Sequence, residues 1–570
     1  MIDIEMMIKK KYPKLQNNKI IKGAIKKFSN AIVHQSEINN FIEDNSHLGA
    51  FEFIDNALEE LNFSYTTSSS DIENIPATGR VVIVSNHPLG GLDAFALIKL
   101  IRSIRSDIKI VANDFLTAIS PLKEIIININ SFKNRQDKAS IHKIYESLHA
   151  EEALIIFPAG EVSRARPSGI KDGAWKKSFL KFASKTDAPI LPVFIGGKNS
   201  TTFYSVSALN KKLSILLLAN EMFLQKNKEI NIIVGEIIPK ENIQPKSIQK
   251  ETLVKLYKKH TYGLRKGKSL FQTQKPIALA EDRRSLKKEL KESELLGATK
   301  DGKKIYLYEW SKNNSSVLNE LGRLRELSFR KVGEGINKKR DIDKYDRYYK
   351  HIILWDNEDL EIVGAYRIGV VSEIVESLSP NALYTNSLFD YTKRFDKYLD
   401  NTIELGRSFV QPKYWGSRAL DYLWQGIGAY LSTYPNIKYL LGPVSISGVY
   451  PTLVKDMILY FYSTYFGDIS KIVLARQPYV LTLENTNLTR FISELKHDDY
   501  KHDFKVLKKS LSLLGFSIPT MYKQYSDLCE DKGVKFCAYN IDKEFSNCID
   551  SFIILEVDKI KPKQRQRYFL

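Results

Sequence analysis

Cysteine is nearly missing from this chain: Cys529, Cys537 and Cys548 are the only three in 570 residues. They cluster late in the sequence without zinc-ligand spacing. That excludes a disulfide framework and a zinc ribbon, and the expectation is free structural thiols in a reducing cytoplasm. Long hydrophobic runs are missing too. The longest, LSILLLAN at 213–220 and MILYFYSTYF at 457–466, fall well short of the ~18 apolar residues a spanning helix needs. The opening residues, MIDIEMMIKKKY, lack the apolar core and cleavage site of an export signal. The expected location is therefore cytoplasmic, peripheral at the inner face of the membrane if the substrate is lipid. Acidic charge is in deficit, with 66 Asp and Glu against 85 Lys and Arg, a net +19. Such an excess suits an anionic membrane surface or an acidic carrier protein. Nucleic acid is disfavoured, because no matching module accompanies the widely spread basic residues.

What the chain does have is material for two cores: 43% hydrophobic residues, 30 Tyr and a length beyond one ordinary domain. The order of elements predicts an α/β chain. Residues 81–260 alternate buried strands (VVIVSN, IKIVAN, ALIIFPA, PILPVFIGG, INIIVGE) with helices around 93–105, 137–150, 171–186 and 251–264. The predicted division is a basic helical segment over 1–45, a domain over 46–263, a charged helical linker over 264–303 and a second domain over 304–570. The first segment places Ile20, Ile21, Ala24, Ile25 and Phe28 beside Lys22, Lys26 and Lys27. That pattern fits a helix lying on a bilayer and equally one packed on its own domain.

The most informative stretch is 81–93, VVIVSNHPLGGLD. A β-branched run ends at Ser85-Asn86, His87 follows, turn formers Pro88, Gly90 and Gly91 come next, and Asp93 opens a helix. One reading is a plain strand–turn–helix connection with a capping Asp. The other is a histidine held in one tautomer by Asp93, with its second nitrogen free to take a proton from a hydroxyl. About 70 residues on, FPAGEVSRAR again runs a strand into a charged Pro/Gly turn, with Gly160, Glu161, Arg164 and Arg166. The two arginines could hold a carboxylate or phosphate, or simply face water. Lys198, after Gly196-Gly197, is a weaker candidate of the same kind.

Together these blocks resemble the glycerolipid-type O-acyltransferases of the lysophosphatidate acyltransferase superfamily, over about residues 45–260. Arg135 in SFKNRQ stands where that superfamily has its second block, and APILPV at 188–193 where it has its fourth. Two departures stand out. The His–Asp spacing is one residue longer, and Ala159 replaces the usual Glu, with Glu161 two positions on. Both resemble the branch that acts on lysolipids of amino acids, and so they count against a glycerol phosphate acceptor.

Beyond 304 the chain carries Arg325 and Phe329 on a helix, Asp343 and Asp346 in DIDKYDRYY, Arg367 on a strand, and Glu404 with Arg407 in ELGR. In that order they resemble the signature of acyl-homoserine-lactone synthases, which have a GNAT-like α/β fold. They resemble still more closely the N-acyltransferases that make ornithine and related aminolipids. The resemblance implies that Glu404 accepts the proton of an attacking amine, directly or through water. It implies that Arg367 and Arg407 position Glu404 or a substrate carboxylate, and that Asp343 and Asp346 hold a side-chain cation. Each could instead belong to a structural ion pair. The segment Gln411-Pro-Lys-Tyr-Trp-Gly416 departs from the pyrophosphate loop of acetyl-CoA-using relatives, which points to acyl carrier protein as donor. The C-terminal IPTMYKQY and terminal Arg-Tyr also resemble the aminolipid enzymes, with Lys523 and Arg567 as candidate contacts for carrier protein or head groups.

The whole architecture resembles the bifunctional ornithine lipid synthases. That implies N-acylation of an amino acid, ornithine first, with a 3-hydroxyacyl chain, followed by O-acylation of the 3-hydroxyl with His87 as base. No metal or other cofactor is expected, since a thioester from acyl carrier protein or CoA is already activated. Alternatives are a lone lysophospholipid O-acyltransferase with a regulatory GNAT-like domain, a basic membrane- or nucleic-acid-binding scaffold without catalysis, and a lactone synthase.

Overall fold

The structure is a computed structural model, which describes residues 34–569 apart from 113–118, 130–137, 168, 210–213, 215–216, 244–247 and 312–313. Most of the basic segment expected over 1–45, and Arg135, therefore lie outside the described residues. Two compact units divide between Pro276 and Ile277.

The first unit is built on a seven-stranded sheet in the order Ser64–Thr66, Glu229–Val234, Ile190–Ile195, Val81–Ser85, Ala153–Ile156, Ile108–Ala112, Ile126–Asn128. All neighbours run parallel except Ile190–Ile195 with Glu229–Val234. A largely parallel sheet is covered on both faces, so its central strand reads as an unbroken apolar run. All five residues of Val81–Ser85 are buried. Their side chains alternate between two cores: Val81 and Ile83 pack with Leu97, Ile101 and Phe53, while Val82 and Val84 pack with Phe179, Leu148 and Tyr257. The helices Gly91–Arg102, Lys138–His149 and Lys250–Gly263 match the predicted ones closely. The predicted 171–186 helix begins only at Ser178, because the preceding residues form a short hairpin strand and a loop.

The second unit has an eight-stranded sheet in the order Glu294–Ala298, Lys304–Glu309, Lys350–Asp356, Glu361–Val370, Thr402–Val410, Tyr439–Ile446, Cys548–Glu556, Val534–Asp542. Its one parallel contact joins Thr402–Val410 to Tyr439–Ile446, and only for the three pairs from Thr402↔Tyr439 to Glu404↔Leu441. Beyond them Thr402–Val410 pairs with Glu361–Val370 alone, and Tyr439–Ile446 with Cys548–Glu556 alone. The two central strands therefore part like a wedge just past Glu404. At the apex the backbones are too close for a side chain: a Cβ on Gly442 would meet the Leu405 carbonyl oxygen at 2.1 Å.

The stretch 264–303 divides differently from the linker expected for it. Arg283–Leu290 is a helix whose Leu286 and Leu290 are buried with Tyr306, Leu321 and Trp355, and Glu294–Ala298 is the edge strand of the second sheet. Dense charge hid an i, i+4 leucine stripe. Among the described residues no helix is long and apolar enough to cross a membrane, and no group of three or more His, Cys, Asp or Glu side chains is placed to hold a metal.

Candidate active sites

In the first unit, the strand Val81–Ser85 delivers His87 to the C-terminal end of a mostly parallel sheet, where such sheets place ligands. Asn86 clamps the strand end: its amide donates to the Ile195 carbonyl at 2.8 Å and its carbonyl accepts from the Ile195 N–H at 2.8 Å. The turn then needs Gly90, whose φ of 102° lies outside the range open to other residues. Gly90 caps the helix Gly91–Arg102, and Asp93 in its first turn folds back. The Asp93 Oδ2 accepts from the Leu89 N–H at 2.8 Å and the Gly90 N–H at 3.3 Å. Its Oδ1 stands 2.9 Å from His87 Nδ1. One Asp93 oxygen thus caps the helix and the other faces the imidazole. Asp93 is fully buried, whereas the His87 side chain keeps 19% of its surface exposed.

Residues that sequence reading missed complete the histidine's surroundings. Phe157 stacks on the imidazole at 4.1 Å between ring centroids. A second buried carboxylate, Asp172, accepts from the His87 backbone N–H at 3.2 Å, from Ser163 Oγ at 2.5 Å and from Trp175 Nε1 at 2.8 Å. The Ser163 N–H donates to the His87 carbonyl at 2.7 Å. Burial alone would lower the His87 pKa, but the charges of Asp93 and Asp172 outweigh it and hold the imidazole above its ordinary value. The imidazole thus has one nitrogen beside a carboxylate and part of its ring reachable.

The other predicted residues of this unit separate. Gly160 adopts φ 66° in the exposed turn. Arg164 is buried: its Nε donates to Glu161 Oε2 at 3.2 Å, and its Nη1 donates to Ser207 and to Ser214 Oγ at 2.9 Å. It is a brace between this turn and the helix Thr201–Leu209, not a free anion hook. Arg166 is exposed, and Gly173, beside Asp172, leaves room for Arg166 and Glu161.

In the second unit the seven signature residues meet in one network. Arg325, fully buried on the helix Ser316–Lys331, donates through Nη1 to Asp346 Oδ1 at 2.8 Å. Its Nη2 donates to His351 Nδ1 at 3.1 Å. Burial and the neighbouring Arg325 push His351 down to about 3, so that ring stays neutral and can accept. Arg367 Nη1 donates to Asp343 Oδ1 at 2.6 Å and Asp346 Oδ1 at 3.2 Å, and its guanidinium lies within 5.5 Å of the ring centroids of Tyr345, Tyr349 and Tyr384. Burial opposes the charged form of Asp346, but Arg325 and Arg367 hold its carboxyl well below the usual carboxylate range.

Arg407 takes φ 47°, where the strand is irregular. Its Nη1 donates to Tyr384 Oη at 3.2 Å, its Nη2 reaches Asp343 Oδ2 at 3.5 Å and its Nε lies 3.3 Å from Asp341 Oδ2. Phe329 packs edge-on against Phe545, whose ring also carries Arg407 at 5.0 Å. Both aspartates expected to hold a substrate cation are therefore already neutralised by arginines of the protein.

Glu404 is 1% exposed, at the apex of the wedge. Its Oε1 accepts from the Thr385 N–H at 2.6 Å, and its Oε2 accepts from the Tyr384 N–H at 3.1 Å and from the Tyr349 hydroxyl. The doubled tyrosine of DKYDRYY was the available signal for Tyr349, while Tyr384 and Thr385 lie in a stretch without a motif. Of the C-terminal candidates, Lys523 is exposed and Arg567 pairs with Asp421.

Residues 7–270 match the acyltransferase family model, and residues 324–425 match the acetyltransferase (GNAT) domain model. The chain is similar to a glycine N(alpha)-acyltransferase of Bacteroides thetaiotaomicron, 35% identical over half of this chain and 86% of that one. It is also similar to a lyso-glycine lipid O-acyltransferase of the same organism, 32% identical over 42% of this chain and 89% of that one. An L-ornithine N(alpha)-acyltransferase of Agrobacterium fabrum is 32% identical over 22% of this chain and 44% of its own length.

Proposed function

This chain belongs to the bifunctional aminolipid acyltransferases, an O-acyltransferase domain followed by a GNAT-like N-acyltransferase domain, and from that premise we propose that it makes a two-chain aminolipid in consecutive steps. The second domain joins a 3-hydroxyacyl chain to the α-amine of an amino acid. The first domain then acylates the new 3-hydroxyl. The observation that carries this reading is the presence on one chain of both matches, each spanning most of a relative that performs one of the two acylations.

His87 takes the hydroxyl proton as the oxygen attacks the second thioester, and Asp93 holds the imidazolium that forms. Asp172 and Ser163 fix the backbone on either side, so the ring arrives already oriented. The acceptor amino acid is glycine in the first place, ahead of the ornithine expected from the signature. The glycine enzyme is matched over 86% of its length and the ornithine enzyme over 44%. The geometry supports the same choice, since Asp343 and Asp346 are engaged by Arg367, Arg325 and Arg407, and so are not free to hold a cationic side chain.

The acyl donor is the thioester of acyl carrier protein. The strand Thr402–Val410 is followed by a 3-10 turn at Pro412–Tyr414, whose proline has no N–H to offer a pyrophosphate. The +19 charge suits an acidic carrier and an anionic membrane surface, where the enzyme works peripherally.

Mass spectrometry of lipids from a host without aminolipids tests the reading. Wild type should yield a two-chain glycine lipid, and His87→Ala should stop at the N-acyl form. Ornithine lipid in place of glycine lipid would overturn the choice of acceptor. Altered phospholipid chains with no aminolipid would overturn the two-step reading.

A further inference from the structure

N-acyl transfer needs a group that takes a proton from the attacking amine, and the signature carboxylate is poorly placed to do so. Glu404 already accepts from two backbone amides and a phenol. We infer that Asp550 is the proton acceptor of the N-acyl transfer proposed above, with Glu404 a positioning residue that anchors the Tyr384–Thr385 turn beside it.

The sheet places Asp550 for this role. Alternation along Tyr439–Ile446 puts Leu441, the register partner of Glu404, on the same face as Pro443 and Ser445. Ser445 lies past the point where the two central strands part. Its partner across the next strand is Asp550, and Ser445 Oγ donates to Asp550 Oδ1 at 2.5 Å. Cys548 Sγ approaches the same oxygen at 3.6 Å, and no described residue donates to Oδ2. Asp550, itself buried, therefore stands on the wall of the wedge, on the face that carries Glu404, with one oxygen fixed and the other without a donor among the described residues.

The groups around it arrive from several elements. Arg407 and Tyr384 act on it from the signature network, Asp542 from the neighbouring strand, Glu334 from the turn that follows the Ser316–Lys331 helix, and Cys548 and Tyr522 from nearby. Burial raises Asp550 to about 6, the Ser445 hydrogen bond opposes that rise, Asp542 adds to it and Arg407 reduces it. Burial and Asp550 push Glu334 up to about 8, and burial raises Asp542. At neutral pH Glu334 keeps its proton while Asp550 is ionised, near the range where a carboxylate both takes and returns a proton.

The ammonium first loses one proton to water. The neutral nitrogen attacks the thioester carbonyl, an N–C bond forms, and the second nitrogen proton passes to Asp550 Oδ2. The C–S bond breaks, and the departing thiolate takes that proton from Asp550. Amine and thioester thus become amide and thiol, and the carboxylate is restored.

The test uses the purified full chain with glycine and 3-hydroxypalmitoyl-loaded acyl carrier protein, following N-acylglycine formation from pH 5 to 9. Asp550→Asn should lower kcat by about 100-fold or more, leave KM for the donor within a few-fold, and remove the acid limb near pH 6. Ser445→Ala should move that limb to higher pH, because the hydrogen bond that holds the pKa down is gone. Glu404→Gln should keep the limb. Near-wild-type turnover with the limb intact in a folded Asp550→Asn protein would overturn the inference. If Asp550→Asn does not fold, as judged by its thermal melt, the Ser445→Ala profile decides, and an unmoved limb there overturns it. A wild-type chain that acylates no amino acid overturns the two-step reading itself, whereas an active wild type with an equally active Asp550→Asn overturns only the role of Asp550.

Discussion

The two sites use their signature residues in opposite ways. In the first unit the motif histidine keeps a reachable ring, and everything else around it — Asp93, Asp172, Asn86, Phe157 — serves to hold it. In the second unit the motif residues hold one another. Arg325, Arg367 and Arg407 face Asp341, Asp343 and Asp346 in a buried network, and Glu404 is saturated by the turn at Tyr384–Thr385. A signature residue can thus stay reachable in one fold and be built into a frame in another. What separates them is whether the polar atoms have other partners inside the protein.

Substitutions break or sharpen this contrast. The largest expected effect is on chemistry in the first unit: His87→Ala should lower O-acylation of the N-acyl intermediate by about 10³–10⁴-fold, while the melting temperature stays close to wild type. In the second unit the corresponding effect is on stability. Asp346→Asn leaves Arg325 and Arg367 short of their shared buried carboxylate and should cost about 3–5 kcal/mol in urea unfolding of that unit. If instead it folds normally and loses only turnover, the frame reading of that network fails.

Leu286→Ala tests whether the charged segment belongs to the second unit. It should destabilise that unit by about 2–5 kcal/mol as a buried leucine, against almost nothing for a solvated connector. The pH profile gives a smaller but diagnostic shift. His87 must be neutral to accept a proton, so its raised pKa moves the acid limb of O-acylation above that of an ordinary imidazole. Asp93→Asn removes the charge that opposes burial, so the limb should move to lower pH while the rate falls. A limb that stays in place would show that another group titrates. The smallest effect is expected of Arg567→Ala, which removes a partly exposed pair with Asp421 and should cost about 1 kcal/mol or less in a melt.

How legible the chain was depended on sequence distance. The strand Val81–Ser85, the helix Gly91–Arg102 and the alternation of strands and helices through 260 followed from periodicity and turn residues, which act over a few positions. His87 and Asp93 are six residues apart across a glycine turn, so their meeting is nearly a local event. The segment 283–298 reads as a solvated connector because its charges outnumber two leucines that matter only once Tyr306 and Trp355 cover them.

The sequence by itself determined the fold class, the His87–Asp93 pair and the set of charged residues in the second unit, because apolar period, glycine turns and ordered motifs are properties of the chain. Tertiary structure alone decided which carboxylates remain available. Asp172 reaches His87 across 85 residues, and Ser445 reaches Asp550 across 105. Glu404 loses its freedom to amides about 20 positions upstream. A carboxylate's chemistry depends on how many donors surround it and how much water it has lost, and strand register with long-range packing sets both.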